Sequence, residues 1–265
     1  MPAHSVPPSR PLATLFAFWR REVLKFVRDR SRVVGAFAQP LLFWLLLGFG
    51  FRASFAMPGV ADQSYLMFLF PGILMLVVLF TAIFSTISVV EERKNGFLQA
   101  ALVAPISRVL FVLGNTLGGT TLALAQALLF LLALPLIGVV PSLSGMLLAM
   151  GILALSGIGF TALGVLIAWR METTRGFHAV MNLVLLPLWF LSGAAFPVEG
   201  AAPALQWAMR LNPVSYAVSA LREALYGTGT AEALASPLVA LVVTIGFAVA
   251  MLALAARAVR RPVFG

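Results

Sequence analysis

Six stretches of the chain contain no ionisable residue: 33–51, 65–90, 109–140, 143–169, 179–191 and 236–256. A helix needs about 20 apolar residues to cross the hydrocarbon core of a bilayer. All but the short 179–191 run are long enough, and the longer ones can cross with tilt. Lipid offers no hydrogen bonds to a backbone, so such runs fold as helices that satisfy themselves. The chain is 61% hydrophobic and 10% charged, against about 25% charged in soluble domains. The expected class is an all-α membrane protein with six transmembrane helices, its spans and their loops filling residues 33–261.

The segments between the runs are polar in different ways. Residues 1–11 hold Pro2, Pro7, Pro8 and Pro11 and no apolar core before a small-residue cleavage site. They are expected to be a disordered tail, not a signal peptide. Residues 12–32 place Leu12, Leu15, Phe16, Trp19, Val23, Phe26 and Val27 at helical spacing, with Arg20, Arg21, Lys25, Arg28 and Arg32 between them. That pattern suits an interfacial amphipathic helix with its cations toward phosphates. It also suits a plain lead-in to the first span. Six spans put fifteen of the eighteen Lys and Arg residues on one side, leaving Arg52, Arg210 and Arg222 on the other. Basic residues crowd the cytoplasmic face, so both termini are expected inside. The same bias accounts for the net charge of +9. No basic patch is interleaved with stacking aromatics on a soluble segment, which argues against nucleic acid as a partner.

Residues 91–108 form the longest strongly polar interruption. Glu91, Glu92, Arg93 and Lys94 follow the second run, and Asn95-Gly96 breaks whatever helix precedes them. Phe97 to Val103 is apolar and helix-forming, with Leu98 and Leu102 four apart on one face, and Pro105 stops it. Seven residues cannot span a bilayer. The segment either lies along the surface or is a knob offered to another protein. A second interruption, 193–226, is apolar but broken by Pro197, Gly200, Pro203 and Pro213. It reads as two re-entrant half-helices, 202–211 and 213–226, between spans five and six on the external side. An ordinary external loop with an amphipathic helix is the alternative.

Several chemistries are absent. Cys does not occur, and His4 and His178 are the only histidines, so no zinc spacing can be built. Asp29 and Asp62 lie outside the runs, and neither Ser156-Gly157 nor Ser192-Gly193 has a G-x-S-G setting. Residues 114–121 are glycine-rich but lack the lysine of a nucleotide-binding loop. The chain is therefore expected to be no enzyme and to bind no cofactor of its own. The polar residues inside the runs are uncharged: Gln39, Thr81, Ser85, Ser88, Asn115, Gln126 and Asn182. They either bond neighbouring helices or line a pathway. Phe68, Phe70, Phe80 and Phe84 on the second run either pack or supply an apolar lining. Phe80, Phe84 and Asn182 are the candidates for pathway lining. Gly114 and Gly118, with Gly157, Gly159 and Gly164, mark close helix packing.

Two segments carry a family resemblance. The residues from Glu91-Glu92-Arg93-Lys94-Asn95-Gly96-Phe97-Leu98-Gln99 to Pro105-Ile106-Ser107-Arg108 resemble an E-R-x-x-G-T-L-E…P-I-S-R loop. The residues Leu191-Ser192-Gly193-Ala194-Ala195-Phe196-Pro197 and Leu211-Asn212-Pro213-Val214-Ser215-Tyr216 resemble an S-G-x-x-F-P…L-N-P-x-x-Y segment. Both belong to the membrane subunits of ABC-2 type exporters, which include drug, polysaccharide and nodulation-factor permeases. Phe97-Leu98-Gln99 stands where the family commonly has Thr-Leu-Glu. The resemblance implies a permease in the bacterial inner membrane, acting as two copies with two ABC ATPase subunits that hold ATP and magnesium. It implies that Glu91, Glu92, Arg93, Gly96, Phe97, Leu98, Leu102 and Pro105 couple the chain to the ATPase. It implies an external gate at Phe196, Pro197, Asn212, Pro213 and Tyr216. An amphipathic drug or lipid suits a pathway without fixed charge, and the three tyrosines speak against a polysaccharide. A passive channel or membrane scaffold, with the loop as a docking site, is the other reading. Leu98→Arg is expected to leave ATP hydrolysis running while transport falls to background, measured in parallel on the purified complex.

Overall fold

The computed structural model describes residues 11–50, 65–96, 107–198, 200–227 and 234–260. At its centre is α3 (Tyr65–Ser85), a helix that is apolar on every side. A helix without a polar face has to be enclosed by protein or lipid. Here protein does it: 94% of its spanning window is buried, against 18% for α2 (Arg30–Gly50) and 22% for the last helix, α10 (Pro237–Arg260). Around α3 stand α2, α5 (Arg108–Leu131), α6 (Leu143–Ala168), α7 (Thr174–Phe190) and α9 (Pro213–Tyr226). Helix α10 lies along α6 and touches α5 and α9. The remaining helices are α1 (Pro11–Arg28), α4 (Ile87–Lys94) and α8 (Pro203–Leu211), and a 3₁₀ turn (Leu134–Ile137) follows α5. No strand occurs among the described residues.

By length and composition five helical stretches can cross a membrane: 33–50, 65–94, 108–137, 143–168 and 237–260. The expected fifth span is α7, which has 17 residues and so measures about 26 Å. It begins earlier than expected. Thr173 Oγ1 accepts a hydrogen bond from the Gly176 N–H at 3.0 Å, an N-cap that makes residues 174–178 helical instead of loop. The second run is not one helix. At Thr86 the ladder changes to i→i−3 bonds, with Thr86 N–H on the Ile83 carbonyl at 3.0 Å and Val89 N–H on that of Thr86 at 3.0 Å. Helix α4 then runs past the apolar residues to Lys94, and Gly96 ends it at φ +72°. The two short helices of the 193–226 segment, α8 and α9, fall where the prolines and Asn212 place them.

Glycines set the helix spacing. A Cβ on Gly114 or Gly118 would strike Phe18 or Glu22 of α1, and one on Gly119 would strike Ser85 and Thr161. Gly157 faces Thr120, Gly159 faces Phe247, and Gly164 faces Thr86. The bundle is therefore packed backbone to side chain, as membrane helices without a hydrophobic drive between them require. Helix α1 is not a free surface helix: Phe18 is buried edge-on to Phe111 at 5.5 Å, and Trp19 Nε1 donates to Thr121 Oγ1 at 3.0 Å. Its Leu12, Phe16 and Val27 remain exposed, which leaves an apolar edge for lipid. Gly118→Leu overpacks this contact by about 1–3 kcal/mol and is expected to loosen α1. The chain has no native cysteine, so oxidative cross-linking of a Trp19→Cys/Thr121→Cys pair reports it, with cross-linking expected to slow in the Gly118→Leu background.

Candidate functional site

At one end of the bundle the helices meet in a polar junction around α4. Glu92 is nearly enclosed and takes two cations from α1: Arg21 Nη2 donates to Oε2 at 3.0 Å, and Lys25 Nζ to Oε1. The next residue, Arg93, turns the other way. Its guanidinium donates to the carbonyls of Trp169 and Met171 just past α6 and lies over the Trp169 ring at 5.6 Å. A cation at a helix C-terminus meets both the orphan carbonyls and the negative end of the dipole. Arg108, at the start of α5, does the same for α10: Nη1 donates to the carbonyls of Val259 and Arg260 at 3.2 and 3.3 Å. The interfacial reading placed Arg21 and Lys25 among phosphates; the structure turns them inward onto Glu92, while Arg20 and Arg28 stay exposed.

Glu22 belongs to the same junction and was not singled out from the sequence. Its signal was there: Phe18, Glu22 and Phe26 are four apart and share the buried ridge of α1. Ser88 Oγ donates to Glu22 Oε1 at 2.8 Å, and it also lies 3.0 Å from the Ser85 carbonyl. Glu22 Oε2 has no hydrogen-bond partner. Burial pushes the carboxyl up to about 7, the Glu92 charge adds to this, and Ser88, Lys25 and Arg21 oppose it. When protonated, Glu22 can donate to Ser88 Oγ while Ser88 donates to Ser85, so both bonds form at once.

Of the residues expected to couple, Glu91, Glu92, Arg93 and Gly96 stand at the end of α4. Phe97, Leu98, Leu102 and Pro105 lie outside the described residues, as does the 1–10 part of the tail.

A second site lies where α7, α8 and α9 join. Asn212 joins two helices with one side chain: Nδ2 donates to the carbonyls of Leu188 and Leu191 at 2.6 and 2.8 Å, and Oδ1 accepts from Val214 N–H at 3.0 Å. It therefore caps the C-terminus of α7 and the N-terminus of α9, where Pro213 takes the first helical position. Tyr216 Oη donates to the Arg210 carbonyl at 2.9 Å. Pro71 lacks the N–H that would bond the Met67 carbonyl, and Tyr226 Oη supplies the missing donor at 2.7 Å. Trp189 Nε1 donates to the Gly72 carbonyl at 2.7 Å. Arg222, counted from the sequence as an exposed external cation, is buried. It donates to the Gly193 carbonyl at 2.7 Å and sits 4.1 Å over the Phe68 ring. Phe196 and Pro197 are half-buried in the turn that precedes α8.

Between these two sites a cleft of about 490 Å³ opens among α1, α2, α3, α4 and α7. Phe80, Phe84 and Asn182 all line it. The rings of Phe80, Phe84 and His178 follow one another at 5.6 and 5.2 Å along one wall. Gln39, Thr81, Glu91 and Thr174 also border it. Thr81 is turned to α5, where its hydroxyl donates to Gln126, the helix-to-helix bond expected of such residues. Gln39 and Asn182 make none: both are exposed, and neither amide has a hydrogen-bond partner among the described residues.

The model of the ABC-2 type transporter family matches residues 13–226, which hold the junction, the cleft and the outer cap. A protein of Cyanophora paradoxa named "Putative transport permease ycf38" is 28% identical over 211 residues, covering 78% of this chain and 72% of its own.

Glu22 sets a pH prediction. Its folded-state pKa lies above the ordinary 4.5, so folding holds a proton that the unfolded chain releases. Stability then falls as pH rises from about 4.5 to about 7 and levels off above that. Glu22→Gln removes this slope. Its melting temperature relative to the wild type is expected to climb between pH 4.5 and pH 7.5, read by tryptophan fluorescence in detergent.

Proposed function

The chain belongs to the ABC-2 type transporter family, and we propose that it is the membrane permease subunit of an ATP-driven exporter. The observation that carries this reading is how the 97–106 segment is anchored. Before it, Glu92 is tied to α1 and Arg93 to the end of α6; after it, Arg108 is tied to the end of α10. A push on that segment reaches three helices besides the two it connects. A loop that served only to join two spans has no need of such fixing. The chain contributes no nucleotide-binding loop, so the work comes from separate ATPase subunits carrying ATP and magnesium.

In this reading α7 is the fifth of six spans, its 17 residues extended by the 191–198 turn and the outer cap. Helices α8 and α9 dip into the outer leaflet, and both termini are cytoplasmic. Two copies pair with two ATPases in a bacterial inner membrane, and the cleft of each copy forms part of the pathway. Its aromatic wall and uncharged amides suit an amphipathic drug-like molecule or lipid better than a polysaccharide. The proposal makes Asn212, Pro213, Tyr216, Phe196 and Pro197 the outer gate.

Affinity purification through a C-terminal tag in mild detergent tests the assignment. An ABC ATPase is expected to copurify at two-to-two stoichiometry. A homo-oligomer without any ATPase, even after cross-linking, would turn the reading to a passive channel or scaffold.

A further inference from the structure

The amides of Gln39 and Asn182 are the unexplained groups in the cleft. They lie on different helices, nine residues into α2 and eight into α7, so both sit about 12–14 Å from the start of their helices. Each lies within an apolar stretch, each is exposed, and neither is hydrogen-bonded among the described residues. An unsatisfied amide costs several kcal/mol against hydrocarbon, so these two have to be met by something polar that enters the cleft. The Phe80, Phe84 and His178 rings line the same cleft in succession, at 5.6 and 5.2 Å and tilted by 46° and 33°. A volume of about 490 Å³ is that of a small-molecule pocket.

Charge narrows the class further. No Lys or Arg is among the described residues that line the cleft, although the chain has eighteen. Lys25 and Arg93, the cations nearest in sequence to the lining residues Phe26 and Glu91, are both drawn elsewhere. Lys25 goes to Glu92 and Arg93 to the carbonyls of Trp169 and Met171. A phosphate or sulfonate buried here would find amide donors but no cation, and an unpaired buried charge is costly.

We propose that the cleft, which is lined by the Glu91 carboxylate and by no Lys or Arg among the described residues, binds a ring-bearing amphipath without negative charge, whose hydrogen-bonding groups engage Gln39 and Asn182 and whose ring lies on the Phe80–Phe84–His178 wall. The proposal rests on the exporter reading, since it names the substrate class of that pathway. Anionic headgroups, including those of phospholipids and diphosphate-linked lipid carriers, are excluded by the same chemistry.

The test uses the full chain with its copurified partner in nanodiscs of zwitterionic lipid, without nucleotide. Two probes of similar ring size are titrated by fluorescence: uncharged Nile red and anionic anilinonaphthalene sulfonate. Nile red is expected to bind saturably and the sulfonate to show no saturable component. The Gln39→Leu/Asn182→Leu variant is expected to weaken Nile red by about tenfold, as the loss of two neutral hydrogen bonds predicts. Phe84→Leu, which keeps both amides, weakens it through the wall. Saturable sulfonate binding tighter than that of Nile red would overturn the proposal. So would an unchanged Nile red titration in the double variant, and if that variant also fell apart into single copies, the amides would be a contact between subunits instead. Failure of the exporter reading shows separately, as a preparation that contains no ATPase whatever the dyes do.

Discussion

Every broken helix in this protein leaves carbonyls that lipid cannot satisfy, and the architecture follows from how they are answered. The outer end shows this in detail. Pro71 frees the Met67 carbonyl inside α3, and Tyr226 reaches across from α9 to take it up. The chain turn after α7 exposes the carbonyls of Leu188, Leu191 and Gly193, which Asn212 and Arg222 cover. Trp189 does the same for Gly72. These donors are what permit α8 and α9 to be short. A mixed helical cap, and not a simple loop, closes the bundle because its ends are stitched to the central helix.

The end at α4 is held by an ion cluster, where the end at α8 and α9 is held by Asn, Tyr and Trp donors and one buried arginine. Consecutive residues of α4 hold opposite neighbours: Glu92 draws α1 in, and Arg93 grips the end of α6. Burying one member of such a set alone would be costly, so the ionic groups fix which helices meet as much as how tightly. Membership of the ABC-2 family gives that fixing a purpose, since the junction borders the segment proposed to meet the ATPase. The cleft, lined by the Glu91 carboxylate but by no Lys or Arg among the described residues, is walled by α3 and bordered by α2 and α7.

Much of this was legible in the chain itself. Five of the six runs without charge fall in helices long enough to cross a membrane, Asn212-Pro213 and Pro203 marked the two short helices, and the small residues on α5 and α6 marked the tight crossings. Other features were hidden because the same residue type serves opposite ends. Arg222 is counted with external cations by any rule that tallies charge, yet it packs under Gly193 and over Phe68. Thr173 looked like loop, but its hydroxyl starts α7. Asn182 was already a candidate for pathway lining, whereas nothing in the sequence separated Gln39 from the residues that bond neighbouring helices; both border the cleft. Glu22 was visible as an acid on an apolar ridge, but its partner Ser88 is 66 residues away, and no local pattern joins them.

The interruption at Thr86 also gives the second run a mechanical character. Above it α3 is enclosed on all sides; below it α4 packs on α3, α6 and α7 and is tied to α1. Eight residues of helix form an arm of about 12 Å. A swing of about 10° at the Thr86 turn therefore carries Lys94 through about 2 Å, while the enclosed helix need not shift. In the proposed coupling the enclosed part of the run would bear load, and the short part would act as a crank with its own bearing.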